Sequence, residues 1–412
     1  MNLEARTAIE ALRAGVPNGA AVRLLGTEES GIEQAFDALL AAVWAEAPPP
    51  GIGLAGGFGT GKSHLLGYLA EVARTHDFVV SRVVISKETP LSDPGRVFEA
   101  AMRGTALPNR NDDPIGGCLA ILRESPERLD ALEDAVSRPE AKLAPVFAAI
   151  LYLLRKSSTP QGLIHRFERF LAGGRMTATA FRQALSAVGA GRLFDLRMPA
   201  AAVLAEQRIR FVARLFQAAG FAGWCLLLDE VELIGRYTPL QRALAYARLN
   251  VWLGIDPAHR YPGVATVYAI TDDFVAAVID QRQDDEKLVE RLRLKGKPVE
   301  ADMALTAIRH IEATVRQHRL RPPGLDELQR SCLRLHEIYE AAHDWLTPAL
   351  PQSERTASRT MRQYIKSWIT QWDLQRLTGS GISIVEETMT TNYEENEGLG
   401  QASQDDTGDE LG

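Results

Sequence analysis

Residues 53–73 read GLAGGFGTGKSHLLGYLAEVA. Gly56, Gly57, Gly59 and Gly61 crowd one short turn, and a lysine, a serine and an apolar helical pattern follow at once. A turn so bare of side chains lets the backbone come close to a ligand or take conformations other residues avoid. Gly56-Gly57-Phe58-Gly59-Thr60-Gly61-Lys62-Ser63 matches the spacing G-x-x-x-x-G-K-[ST]. The context fits as well. GIGLAG before it reads as a short buried strand, and Leu65, Leu66, Leu69, Val72 and Ala73 after it form one face of a helix. Such a loop points its N–H groups inward around phosphates, and the helix beginning at Lys62 adds the positive end of its dipole. Lys62 then reaches the β- and γ-phosphates and Ser63 serves as a Mg²⁺ ligand. Gly56 through Ser63, together with His64, are the expected nucleotide contacts.

The rest of the chain sets the frame for that loop. Its 412 residues suit two or three domains, and 46% hydrophobic with 24% charged residues is ordinary for a globular protein. The amino terminus, MNLEARTAIEALRAG, is amphipathic without a signal-peptide core, and no apolar run is long enough for a membrane helix. Cys118, Cys225 and Cys332 are far apart, so the expectation is a cytoplasmic protein with reduced thiols, no zinc site and no disulfide. The formal charge of −7 has a local origin. Residues 381–412 hold nine acids and no Lys or Arg, which leaves 44 acids against 46 bases elsewhere.

Residues 3–14 read as a helix that GVPNGAA breaks, and a second helix with Ile32, Phe36, Leu39, Leu40 and Val43 ends at the prolines 48–50. FVVSRVVIS (78–86), WCLLLDE (224–230) and VATVYAIT (264–271) read as strands. Strands separated by helices argue for a parallel, doubly wound α/β sheet. Residues from about 90 to 220 are mostly helical in pattern, and helical stretches at 301–319, 325–346 and 355–377 follow the last strand. The expected division is an amino-terminal helical segment 1–50, an α/β core 51–295 containing the helical insert, an all-α domain 296–380 and an acidic disordered tail 381–412.

WCLLLDE delivers two acids at the end of an apolar strand. Beside a phosphate loop, Asp229 is placed to act on Mg²⁺ and Glu230 to polarise the attacking water as general base. Glu232 reads as a structural acid. Thr271, closing VATVYAIT, reads either as a group that orients the water or touches the γ-phosphate, or as a threonine capping the next helix. Arg291 and Arg293, one helix further on, read either as residues that stabilise transition-state charge in a neighbouring subunit or as a solvated basic helix end. Arg359 and Arg362 open a late amphipathic helix, from which an arginine can lean over the phosphates. Arg309, Arg316, Arg319, Arg321, Arg330 and Arg334 read either as a DNA-backbone surface with which the acidic tail competes, or as partners of local acids such as Glu312 and Glu327.

The layout of phosphate loop, LLLDE, AIT, basic helix and helical lid resembles the AAA+ ATPases, and within them the origin-recognition branch. There, an element before the phosphate loop helps to hold adenine. The matching stretch here is LLGTEESGIEQAFDALL, in which Gly26 and Glu28 fit and Thr27 stands where that pattern has arginine. ARTAIEALRAGVP, GKSHLL, FVVSRVVISKETPLSDPGRVFEAAMR, GWCLLLDEVELI and RTMRQYIKSWI together resemble the ATP-binding proteins of BREX-type phage-defence systems, the BrxD-like group. The resemblance implies a P-loop AAA+-like fold, ATP and Mg²⁺ as cofactors and ATP hydrolysis driving conformational change. It also implies helicase-like and methyltransferase-like defence proteins as partners, with DNA and other copies of the chain as further ones. The alternative it leaves open is a nucleotide-dependent switch with little hydrolysis that recruits a helicase.

Overall fold

A computed structural model describes residues 2–15, 18–26, 29–108, 113–321, 323–348 and 360–379. Arg359, Thr27, Glu28 and the acidic tail 381–412 lie outside the described residues. The chain opens with three helices, α1 (Leu3–Ala14), α2 (Gly19–Leu25) and α3 (Ser30–Ala41). Strand β1 (Ile52–Ala55) then leads through the glycine loop into α4 (Lys62–Thr75) and β2 (Phe78–Val84). Helix α5 (Pro94–Arg103) precedes the two-residue strand β3 (Thr105–Ala106). Five helices follow: α6 (Pro114–Glu124), α7 (Pro126–Ser137), α8 (Pro145–Arg155), α9 (Gln161–Leu171) and α10 (Ala178–Ala187). Then come α11 (Ala201–Ala218), β4 (Gly223–Asp229), α12 (Pro239–Leu253), β5 (Val264–Ile270) and α13 (Asp284–Leu294). Three helices, α14 (Pro298–Gln317), α15 (Leu325–His343) and α16 (Met361–Thr378), complete the described chain.

The fold is mixed α/β. The sheet has five strands in the order β1-β5-β4-β2-β3. All neighbours are parallel except the short β3, which pairs antiparallel with β2 through Val80↔Ala106 and Ser81↔Thr105. A wholly parallel sheet was the expectation; β3 was not foreseen because two residues carry no periodicity. The central strands are apolar throughout because both faces are covered. Along β4, Trp224, Leu226 and Leu228 join one core with helices α5–α14, while Cys225 and Leu227 join another with α3 and α4. On α4, Leu66 and Leu69 are fully buried, each worth roughly 1.5–3 kcal/mol over exposure.

A third cluster joins the two ends of the chain. Ala8, Ile9 and Leu25 pack with Leu335, Tyr339, Trp368 and Trp372. The packing thus divides the chain differently from the expected boundary at 296. In α14, Ala304, Ala307, Ile308 and Ile311 belong to the sheet-side core, because the apolar stripe of this helix faces α12, α13 and the sheet. Only α15 and α16 stand apart, and they take α1 and α2 as partners. After α14 the chain runs alongside β1, with Ala55 N–H donating to His318 O at 3.0 Å and Leu320 N–H to Ala55 O at 2.7 Å.

Candidate nucleotide site

The strand order decides what meets at one edge of the sheet. β5 lies between β1 and β4, so the glycine loop, Thr271 and the Asp229–Glu230 pair leave neighbouring strand ends. Gly59 and Gly61 take φ of +76° and +104°, the left-handed region that glycine enters without cost. A Cβ at Gly56 would stand 2.5 Å from Thr60 Oγ1, and one at Gly59 only 2.9 Å from Thr360 Oγ1. Thr360 is the residue before α16, so that helix begins against the loop.

Lys62, the first residue of α4, folds its ammonium back onto the loop and donates to Gly56 O at 2.7 Å and Gly57 O at 3.1 Å. Its Nζ stands 6.0 Å from the centre of the Phe58 ring. Burial lowers its pKa, against the opposing pull of Glu232, Asp229, Asp272 and Asp273. Thr60 Oγ1 donates to Gly57 O at 2.9 Å and fixes the turn from within. Ser63 and His64 stand on the first turn of α4. The His64 ring bonds Gly26 O through Nε2 at 2.9 Å, and burial depresses its pKa.

A pocket opens beside the loop, lined by Gly59, Thr60, Gly61, Ser63 and His64 on one wall. Ala21, Leu25 and Leu320 give it an apolar side, while Arg334 from α15 and Met361, Arg362 and Ile365 from α16 close it. Polar loop on one side and apolar wall on the other suit a phosphate chain attached to a flat base.

Asp229 ends β4 with its side chain only 5% exposed. Its Oδ2 accepts from Arg82 Nη2 at 2.6 Å and its Oδ1 from the N–H of Glu230 at 3.0 Å. Glu230 is exposed and takes φ 58° and ψ 36°, a left-handed conformation uncommon outside glycine, which turns the chain sharply into the 3₁₀ segment Val231–Arg236. Although the residue is exposed, partial desolvation of its carboxyl against the surrounding chain, and then the neighbouring Asp229, raise its pKa. Glu232 was read as a structural acid. It is 5% exposed, its Oε2 has no hydrogen-bond partner, and burial pushes its pKa up to about 7.

Not every remaining candidate reaches the pocket. Thr271 is buried at the end of β5, where its carbonyl accepts from Phe274 N–H at 3.3 Å. Arg291 and Arg293 sit exposed in the last turn of α13, and Arg293 pairs with Asp302 at 2.9 Å. Neither lines the pocket. Of the six arginines read as a DNA surface, two stand at this site. Arg334 lines the pocket and donates to Leu25 O at 2.9 Å, and Arg319 pairs with Asp272 at 2.7 Å, one residue beyond Thr271.

Sequence reasoning missed Arg82 and Asp272, and it read Arg334 as part of a DNA surface or as a partner of local acids rather than as a lining residue of this pocket. Arg82 left a signal, since an arginine inside an apolar strand needs an acid on a neighbouring one, but the choice of acid depends on register. Asp229 and Ser63 offer hard oxygen donors, which suit Mg²⁺. Among the described residues no three His, Cys, Asp or Glu side chains are grouped to hold a metal by themselves. Mg²⁺ held by one or two protein oxygens and completed by phosphate oxygens fits that arrangement. No described helix is long and apolar enough to cross a membrane.

Residues 2–122 match the family model described as BREX system ATP-binding protein BrxC/D. The matched segment contains α1–α4, the glycine loop and Arg82, and it supports the BREX ATP-binding resemblance read from the sequence over those residues. No curated protein and no solved structure matches the chain.

Proposed function

We propose that this chain, which over residues 2–122 matches the family model described as BREX system ATP-binding protein BrxC/D, is an AAA+ type ATPase of that family. It hydrolyses ATP to drive a conformational change in a cytoplasmic phage-defence assembly that acts with DNA. The observation that carries this reading is the meeting of three strand ends: the Gly56–Lys62 loop after β1, Thr271 after β5 and Asp229–Glu230 after β4.

In this reading, Lys62 exchanges the carbonyls of Gly56 and Gly57 for the β- and γ-phosphates. That exchange gives a half-buried ammonium directly bonded phosphate oxygens in place of neutral carbonyls, in addition to the more distant carboxylates around it. Loop N–H groups and the amino-terminal end of α4 hold the remaining phosphate charge. Ser63 and Asp229 hold Mg²⁺, which supplies charge neutralisation on the phosphate oxygens when bound. Glu230 takes a proton from the attacking water, and Thr271 orients that water. The apolar wall of Ala21, Leu25 and Leu320 receives the base, and α15 and α16 act as the lid. Arg291 and Arg293, facing solvent, are assigned to a neighbouring copy's site. Helicase-like and methyltransferase-like proteins of the same system are the proposed partners.

A nucleotide-dependent switch with little turnover is the second reading. It is favoured by one observation, that Asp229 is tied to Arg82. Binding of a fluorescent ATP analogue, followed by steady-state turnover with and without DNA, separates the two. Turnover that DNA accelerates supports the ATPase. Tight binding with no turnover under either condition supports the switch, and no binding removes both.

A further inference from the structure

We infer that Arg82 and Mg²⁺ compete for the carboxylate of Asp229, so that Arg82 sets the Mg²⁺ concentration that nucleotide binding requires. The inference rests on the assignment of Asp229 to the metal side of the proposed ATP site.

The contact follows from strand register. β2 and β4 pair so that Val84 stands beside Asp229 and Arg82 beside Leu227. Side chains two apart on a strand share a face, so Arg82 and Asp229 meet across adjacent strands. The Arg82 guanidinium donates to Oδ2 at 2.6 Å. Asp229 is therefore a buried carboxylate with one directly bonded cation, the Lys62 ammonium acting on it only from a distance, and in such a site removing the bonded partner without replacing it is costly. A divalent cation is the natural replacement for that partner.

A second arginine–aspartate pair shows what a permanent one looks like here. Arg242 grips Asp284 at two points, Nε–Oδ2 at 2.7 Å and Nη2–Oδ1 at 2.9 Å, and Tyr246 adds a third bond at 3.0 Å. Both of its charged side chains are buried, at 2% and 1% exposure. Arg82 differs on each count. It touches Asp229 through one nitrogen, its Nε is buried without a partner, and its side chain is 29% exposed. A one-point contact with an open outer side can exchange, whereas a two-point buried fork resists it. On exchange Asp229 trades a singly charged partner for a doubly charged one. The freed guanidinium stays close to Glu230, whose carboxyl already feels its charge.

The test titrates Mg²⁺ into the full-length protein with a fluorescent ATP analogue, for the parent, Arg82→Gln and Arg82→Lys. Arg82→Gln should reach half-saturation at about five- to tenfold less Mg²⁺, the scale of one partly exposed charge-assisted bond. Arg82→Lys, which keeps the charge and loses the planar head, should fall between the two. If Arg82→Gln does not fold, Arg82→Lys alone decides. Half-saturation unchanged or raised in the folded variants overturns the competition, provided that parent binding depends on Mg²⁺. Parent binding that ignores Mg²⁺, or that survives Lys62→Ala undiminished, overturns the site assignment instead.

Discussion

At the residue scale, the glycine loop was readable because its geometry is local. Gly59 and Gly61 are needed by their own backbone angles, and Lys62 by its place at the start of α4. Lys62→Ala should abolish nucleotide binding while leaving the fold intact, measured by fluorescence titration and thermal melting. Gly59→Ala should both weaken binding and lower stability by about 1–2 kcal/mol, since a left-handed non-glycine residue is strained and its Cβ crowds Thr360. An unshifted melting temperature would contradict the close approach of α16 to the loop. The burial of Glu232 was not legible, because burial is invisible in a string of letters. Its carboxyl holds its proton to about pH 7 in the fold, against an ordinary 4.5, so its contribution to stability is full below 4.5. That contribution declines as pH rises and is gone above about 7. Glu232→Gln should therefore gain stability over the parent as pH rises from 4.5 to 7, by an amount on the order of 3 kcal/mol at the upper end. Parallel thermal melts across that range would show it, and a constant gap would refute it.

At the element scale, long periodic helices and β-branched strands were legible, whereas short pieces defined by their partners were not. Helix α2 is seven residues between Asn18, whose side chain caps it, and Gly26, and it reads as part of a break in the sequence. Ala21 and Leu25 bury themselves in a cluster that α1 shares with α15 and α16, far along the chain. Helix α14 looked like its successors in pattern, and only packing assigns it to the sheet. The third cluster then carries a prediction. Deleting residues 1–25 removes Ala5, Ala8, Ile9 and Leu25 from it and should loosen α15 and α16 while sparing the sheet. A red shift in the emission of Trp368 and Trp372, with early proteolysis after residue 320, is the expected readout. A deletion variant with parent-like emission and digestion would show that the two helices stand without their amino-terminal partners.

At the scale of the whole molecule, the account holds that three strand ends and a helical closure form an ATP-hydrolysing site. The sequence pointed to the strand ends individually; the order β1-β5-β4 makes them neighbours. Arg291 and Arg293 lie on an exposed helix end away from the pocket lining, and the proposal gives them a part in the site of a second copy. Mixing Lys62→Ala protein with Arg291→Ala/Arg293→Ala protein should then restore some turnover, and no rescue at any ratio would assign these arginines to the surface alone. The most direct test of the central claim pairs two readings on one variant, Glu230→Gln: affinity for ATP and steady-state turnover. The account predicts parent-like ATP affinity with turnover reduced by about a hundredfold or more, the loss expected when a general base is removed. Parent-like turnover in Glu230→Gln would contradict it.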